Sequence, residues 1–207
     1  SGVEVGKPVT TPGELRPVLG RPTPGVSIRA EVRAASKPEG GRRMAVSKRV
    51  ELPRWTRDFM NERKDKRYAT PAERMAVAVE LSRKNVENKS GGPFGAAIFD
   101  RQSGHLFAVG VNRVVPRSAS IAHAEMMAIL MAQTRMRKFT LDVPGEGFEL
   151  VTSAQPCAMC FGAIPWSGVK SVVIGARGED VESIVGFDEG PIHPQWQEQL
   201  ERRGIAV

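Results

Sequence analysis

From about residue 70 the chain alternates between helically spaced apolar positions and short continuous apolar runs. "TPAE" (70–73) sets a capping Thr, a Pro in the first turn and a Glu three residues after the cap, which predicts a helix start. Positions 75, 79, 82 and 86 (Met, Val, Ser, Val) then follow a roughly helical period until "NKSGGP" (88–93) stops it. "FGAAIFD" (94–100) and "HLFAVGVNRV" (105–114) flank "RQSG" and predict a β-hairpin. "AHAEMMAILMAQ" (122–133) is small or apolar nearly all round, which predicts a buried helix with Met126, Met127 and Met131 as core filler. "FELVTS" (148–153) predicts a strand and "CAMCFGAI" (157–164) a short helix, ended early because Pro165 removes a backbone donor. "VKSVVIGA" (169–176) predicts an apolar strand, "PQWQEQLERR" (194–203) a weaker helix, and the final "GIAV" the beginning of another strand.

Strands alternating with helices predict parallel crossovers, with the hairpin as an antiparallel flank. The expected fold class is therefore α/β: a three-layer α/β/α sandwich with a mixed central sheet of about five strands. Ahead of it, residues 1–43 contain six prolines and no Phe, Trp or Tyr. Such a stretch has little to bury, so residues 1–51 are expected to form a disordered, basic, Pro/Gly-rich tail, with the folded domain spanning 52–207.

Composition narrows the setting. No run approaches the length of a membrane helix, and the N-terminus lacks the basic-then-apolar pattern of a signal peptide. Two cysteines in 207 residues cannot staple a small secreted scaffold, so a reducing, cytoplasmic location is expected. The formal net charge of +7 raises the question of nucleic acid, and its distribution answers it. Residues 1–67 hold 16 Lys/Arg against 8 Asp/Glu, whereas residues 68–207 hold 14 against 15. The basic excess belongs wholly to the N-terminal third, and a phosphate-binding surface on the rest has no clustering to support it.

The two cysteines, Cys157 and Cys160, sit three apart in "PCAMC". At a helix start, positions i and i+3 share a face, and the exposed amides there favour thiolate. On that spacing alone, two packed thiols, a redox pair and a pair of metal ligands all remain open. "HAE" (123–125) changes the balance: His123 offers a nitrogen ligand and Glu125 a carboxylate at the start of another helix. Side chains at a helix mouth lean back past its N-terminus, so two such helix ends can face one ion. Three protein ligands leave zinc one open position for water, which catalysis requires, and an adjacent glutamate can move that water's protons. H-x-E followed by P-C-x-x-C is the zinc deaminase pattern, in which the glutamate is not a ligand.

At these residues the chain resembles the cytidine deaminase-like superfamily. Through "GGPFGAAIF", "GVNRVV", "AHAE", "ELVTSAQPCAMCFGAIPWSGV" and "GFDEGP" it resembles the bacterial guanine deaminases within it. The resemblance runs from about Pro71 to the end. It implies one zinc ion per chain held by His123, Cys157 and Cys160, with Glu125 shuttling protons. It also implies that Asn112 hydrogen-bonds the base, that Phe94 and the backbone at Ala124 line the pocket, and that Glu189 is a second catalytic acid. The implied reaction is hydrolytic deamination of a purine base, guanine to xanthine and ammonia, by a homodimer. Relatives extend past the point where this sequence stops, so the domain is expected to lack their usual C-terminal segment. The rival readings are a tRNA adenosine deaminase, a deaminase of another aminated ring such as a triazine, and a catalytically silent zinc-stabilised fragment. The tRNA reading gains from the basic tail, but "RGEDVESIVGFDEG" after the last full strand is acidic where an RNA-contacting loop should be basic. His105 and His193 are expected at the surface, and Trp166 and Trp196 at a subunit interface.

Overall fold

The computed structural model describes residues 51–207, so the expected tail, Glu51 excepted, lies outside the described residues. Among the described residues, seven helices and four strands follow in order: α1 (Trp55–Asn61), α2 (Pro71–Glu87), β1 (Gly95–Asp100), β2 (Leu106–Val111), α3 (Val114–Arg117), α4 (Ala124–Met136), β3 (Phe148–Ala154), α5 (Ala158–Ser167), β4 (Ser171–Ala176), α6 (Gly178–Val185) and α7 (Trp196–Glu201). The sheet order is β2-β1-β3-β4. β1 pairs antiparallel with both neighbours, and β3 pairs parallel with β4 through the α5 crossover. At the β4 edge Ala206 makes a parallel bridge to Ser171, where the final "GIAV" was expected to begin another strand. The mixed sheet, with four strands among the described residues where about five were expected, fits the expected α/β/α sandwich.

Period-2 alternation feeds a separate core on each face. Ala96, Ile98, Ala108 and Leu150 pack beneath α4, with Ile164, Trp196 and Leu200 in the same cluster. Ala97, Phe99, Val109 and Val151 pack beneath α1 and α2. Two glycines let the helices come that close. A Cβ at Gly95 would lie 2.5 Å from the Ala78 carbonyl oxygen of α2, and one at Gly110 would overlap the Ala124 carbonyl oxygen of α4. The ion pair of Arg74 on α2 with Glu149 on β3 (2.8 Å), braced by the Ser171 hydroxyl, ties one helix layer to the sheet.

The structure corrects several expectations. α2 does not bury the 75/79/82/86 face: Val79 and Val86 are half exposed, while Val77, Ala78, Leu81 and Asn85 are buried. A polar residue, Asn85, occupies a core position and broke the apolar pattern on the true buried face. The second hairpin strand ends at Val111, because the Asn112 side-chain oxygen accepts from the Val114 amide and turns the chain into α3. α5 runs through Pro165 to Ser167. A proline in the last turn removes only one amide, and its fixed φ suits the helix. The Ser167 hydroxyl then bonds the Ile164 carbonyl, and Gly168 closes the end at φ +82°. α1 and α6 formed where no element was expected. Trp196 is buried in this chain's own core rather than at an interface, whereas Trp166 is 84% exposed. His105 and His193 are exposed as expected. Among the described residues, no helix is long and apolar enough to cross a membrane.

Candidate active site

His123 and Cys157 are the residues that cap α4 and α5, and both have extended backbone (ψ 159° and 171°). Neither closes its own helix with a side-chain hydrogen bond, so both side chains project beyond the helix ends. Cys160, in the first turn of α5, is fully buried. His123 Nδ1 lies 3.5 Å from Cys157 Sγ and 3.7 Å from Cys160 Sγ. All three donor atoms fall within 4.8 Å of one another. A tetrahedral ion with ordinary Zn–N and Zn–S bonds would separate nitrogen and sulfur ligands by about 3.6 Å. The donor set and its spacing therefore fit zinc.

The electrostatics agree with that fit. Hydrogen bonding from Cys160, aided by His123, pushes the Cys157 thiol down to about 4 against the opposing effect of burial. The Cys160 thiol is pushed up, first by its bond to Cys157 and then by burial. The opposed shifts mark a pair that resists ionising both sulfurs at once, and a divalent cation would allow both to be thiolates. The His123 imidazole is raised by its bond to Cys157. Glu125, only 7% exposed, is raised chiefly by burial, with the Cys157 charge adding to it.

His123, Glu125 and Cys157 line a cavity of about 310 Å³. Phe94, Asn112, His123, Ala124, Glu125, Cys157 and Glu189 all line it, and Cys160 lies buried beside them. All eight residues singled out from the sequence are thus brought together, although they come from five separate stretches of chain. Glu189 sits on the loop after α6, where its carbonyl accepts from the Ala158 amide at 2.9 Å. Burial, then the Cys157 and Glu125 charges, push its carboxyl up to about 7. Its neighbour Asp188 also lines the cavity, with one carboxylate oxygen accepting from the Gly190 amide at 2.7 Å.

Sequence reasoning passed over seven further lining residues, among them Phe187 and Gln155. Phe187 leans on Phe94, ring centres 5.8 Å apart at 51°, and closes the cavity from the loop side. Gln155 lines the wall while its side-chain oxygen accepts from the Gly178 amide at the head of α6. Both lay inside quoted motifs, "GFDEGP" and "SAQPC", but nothing local marked them apart from turn residues. Among the described residues no Lys or Arg lines the cavity, whose charged members are His123, Glu125, Asp188 and Glu189.

A frame of this topology with this triad is that of the zinc-dependent deaminases. The profile of the cytidine and deoxycytidylate deaminase zinc-binding region matches residues 69–176, more than half of the chain, and the protein belongs to that family of zinc-dependent hydrolytic deaminases. The guanine deaminase of Bacillus subtilis is 37% identical over 128 residues, covering 62% of this chain and 78% of that protein. The solved guanine deaminase of Nitrosomonas europaea is 46% identical with a TM-score of 0.69, covering 76% of this chain and 85% of the other. A solved structure bound to 8-azaguanine, a glutamate-to-aspartate variant, has the same identity, TM-score and coverage.

Proposed function

We propose that the protein deaminates a free purine base, guanine to xanthine with release of ammonia. The observation that carries this reading is the cavity: two members of the metal triad and three carboxylates line a small space with two aromatic walls and, among the described residues, no Lys or Arg. A nucleotide or an RNA strand brings phosphates that call for Lys or Arg nearby, and the acidic groups here repel them. A neutral base needs neither. The guanine deaminase relatives and the neighbour bound to 8-azaguanine support the same substrate class.

In this reading His123, Cys157 and Cys160 hold zinc, which when bound supplies a Lewis acid that brings a water's pKa toward neutrality. Glu125 takes a proton from the attacking water and delivers it to a ring nitrogen as the water oxygen bonds to C2. Glu189 passes a proton to the amino group, the C2–N bond breaks with its electron pair leaving on nitrogen, ammonia departs, and the proton of the new C2 hydroxyl returns to Glu189 as the C2=O bond forms. Asn112 offers its side-chain amide to the base, since its oxygen is engaged by the Val114 amide. Phe94 and Phe187 hold the ring plane and keep water out.

Residues 52–207 carry the catalytic domain in this reading, and the chain works as a homodimer. The outer face of α5 supports the second point, with Trp166 84% exposed and open space beside Gly162. Two free thiols fit a reducing cytoplasm.

The test is ammonia release from guanine by the zinc-loaded protein, with a tRNA anticodon stem-loop as the competing substrate. Guanine turnover is expected, with a loss of roughly a thousandfold or more in Glu125→Ala at unchanged zinc content. Turnover of the stem-loop alone would replace the purine-base reading with RNA editing.

A further inference from the structure

Asn85 on α2 is fully buried and lies outside the cavity lining, yet it is bonded to two residues within that lining. Its Nδ2 donates to the carbonyl oxygens of Gly92 (2.8 Å) and Asn112 (2.9 Å). Its Oδ1 accepts from the Ser90 hydroxyl at 2.7 Å, and the Ser90 oxygen accepts in turn from the Trp55 indole N–H at 3.0 Å. The Arg113 guanidinium donates to the Ser90 carbonyl and closes the network from the other side. A buried carboxamide is costly unless its atoms are paired, and here both amide hydrogens and the oxygen are used.

We propose that Asn85 is a positioning residue for base recognition, acting through Asn112. The inference rests on the reading of Asn112 as the group that meets the base. The argument is geometric. The Asn112 amide donates to the Phe94 carbonyl at 3.1 Å, which fixes the peptide plane before its Cα. The Asn85 amide holds the Asn112 carbonyl, which fixes the plane after it. With both planes set, the Cα–Cβ direction is set, and the Val114 amide on the side-chain oxygen orients the rest. Without Asn85, the Gly92 and Asn112 carbonyls lose a buried donor, and the chain at the exit of β2 can rotate. Packing around the Asn112 carbonyl is close: a Cβ at Gly91 would overlap its oxygen.

The experiment is a double-mutant cycle on the zinc-loaded full chain. Asn85→Leu keeps the branched shape and removes the donors, and it is measured with guanine in the wild-type and Asn112→Ala backgrounds. In the wild-type background kcat/KM is expected to fall roughly tenfold or more, mostly through KM, at unchanged zinc content. In the Asn112→Ala background Asn85→Leu should cost nothing further, because the residue it acts through is gone. Equal losses in both backgrounds would reduce Asn85 to a general core residue and overturn the proposal. If Asn85→Leu fails to fold, Ser90→Ala loosens the same carboxamide more mildly, and its effect must show the same dependence on Asn112. Amide hydrogen exchange supplies a readout independent of substrate: Asn112 and Phe94 should exchange faster in Asn85→Leu while the β3 amides do not. Unchanged exchange at Asn112 overturns the proposal. If the wild-type protein does not turn over guanine, the purine-base reading fails by itself, and the exchange result still decides the role of Asn85.

Discussion

Cys160 occupies a position that only a metal explains well. It is fully buried and packed against a second sulfur and an imidazole, and without an ion its thiol is pushed well above the ordinary range. A serine there would keep the shape but supply a hard, barely acidic ligand. Cys160→Ser is expected to bring the zinc content from one per chain to well below one, measured by elemental analysis after dialysis. An ion held by His123, Cys157 and Cys160 would tie α4 to α5, so its loss should also lower the melting temperature, by roughly 10 °C for a site saturated about a thousandfold above its Kd. Full zinc occupancy in Cys160→Ser would remove the residue from the ligand set. Asn112 and Glu189 stand differently. Each is an ordinary polar residue whose meaning comes from facing the same cavity as the triad, and no spacing rule in the sequence reaches that far.

α2 shows how an element can be legible at its end and misread along its length. The capping box at Thr70 and Glu73 is a local device, written in four consecutive residues, and it formed as expected. The Thr70 and Ala69 amides hold the Glu73 carboxyl below its usual range. Since the folded value is the depressed one, the contribution is fully present above the unfolded pKa and fades as pH falls through the folded one. Thr70→Ala is expected to lower the melting temperature by about 2–4 °C near neutral pH. Glu73→Gln should also melt lower there, and its gap to the wild type should close as the pH falls below the carboxylate range. A pH-independent gap would assign the effect to shape rather than charge. The buried face of α2 depended instead on Asn85, whose side-chain amide donates to carbonyls 7 and 27 residues away. A pattern that scores apolar positions takes such a residue for surface. α6 was missed for a related reason: among its described side chains only Val181 is buried, and its acidic first turn reads as loop until a helix is there to use it. The metal ligands and Glu125 were legible because helix-end spacing plus residue chemistry determines them.

At the scale of the whole molecule, the cavity and the apolar surface lie at different parts of α5. Its N-terminus faces the metal site, while further along Trp166 is 84% exposed on a helix with no charged residue. An apolar helix all round is stable in water only when neighbours cover most of it, and this chain covers the Ile164 side alone to completion. Large exposed aromatics of this kind are enriched at the centres of protein interfaces. A second copy of the chain is the partner this argument supports, because self-association covers the same face on both copies at once. Sedimentation equilibrium of the zinc-loaded protein is expected to give a dimer, and Trp166→Glu to shift it toward monomer with the zinc content unchanged. Guanine turnover in the separated variant then has a second use. Retention would mean that each cavity is complete within one chain, and loss would mean that the dimer helps shape it. A wild-type protein that stays monomeric at tens of micromolar would remove the dimer from the proposed function and leave Trp166 without a role.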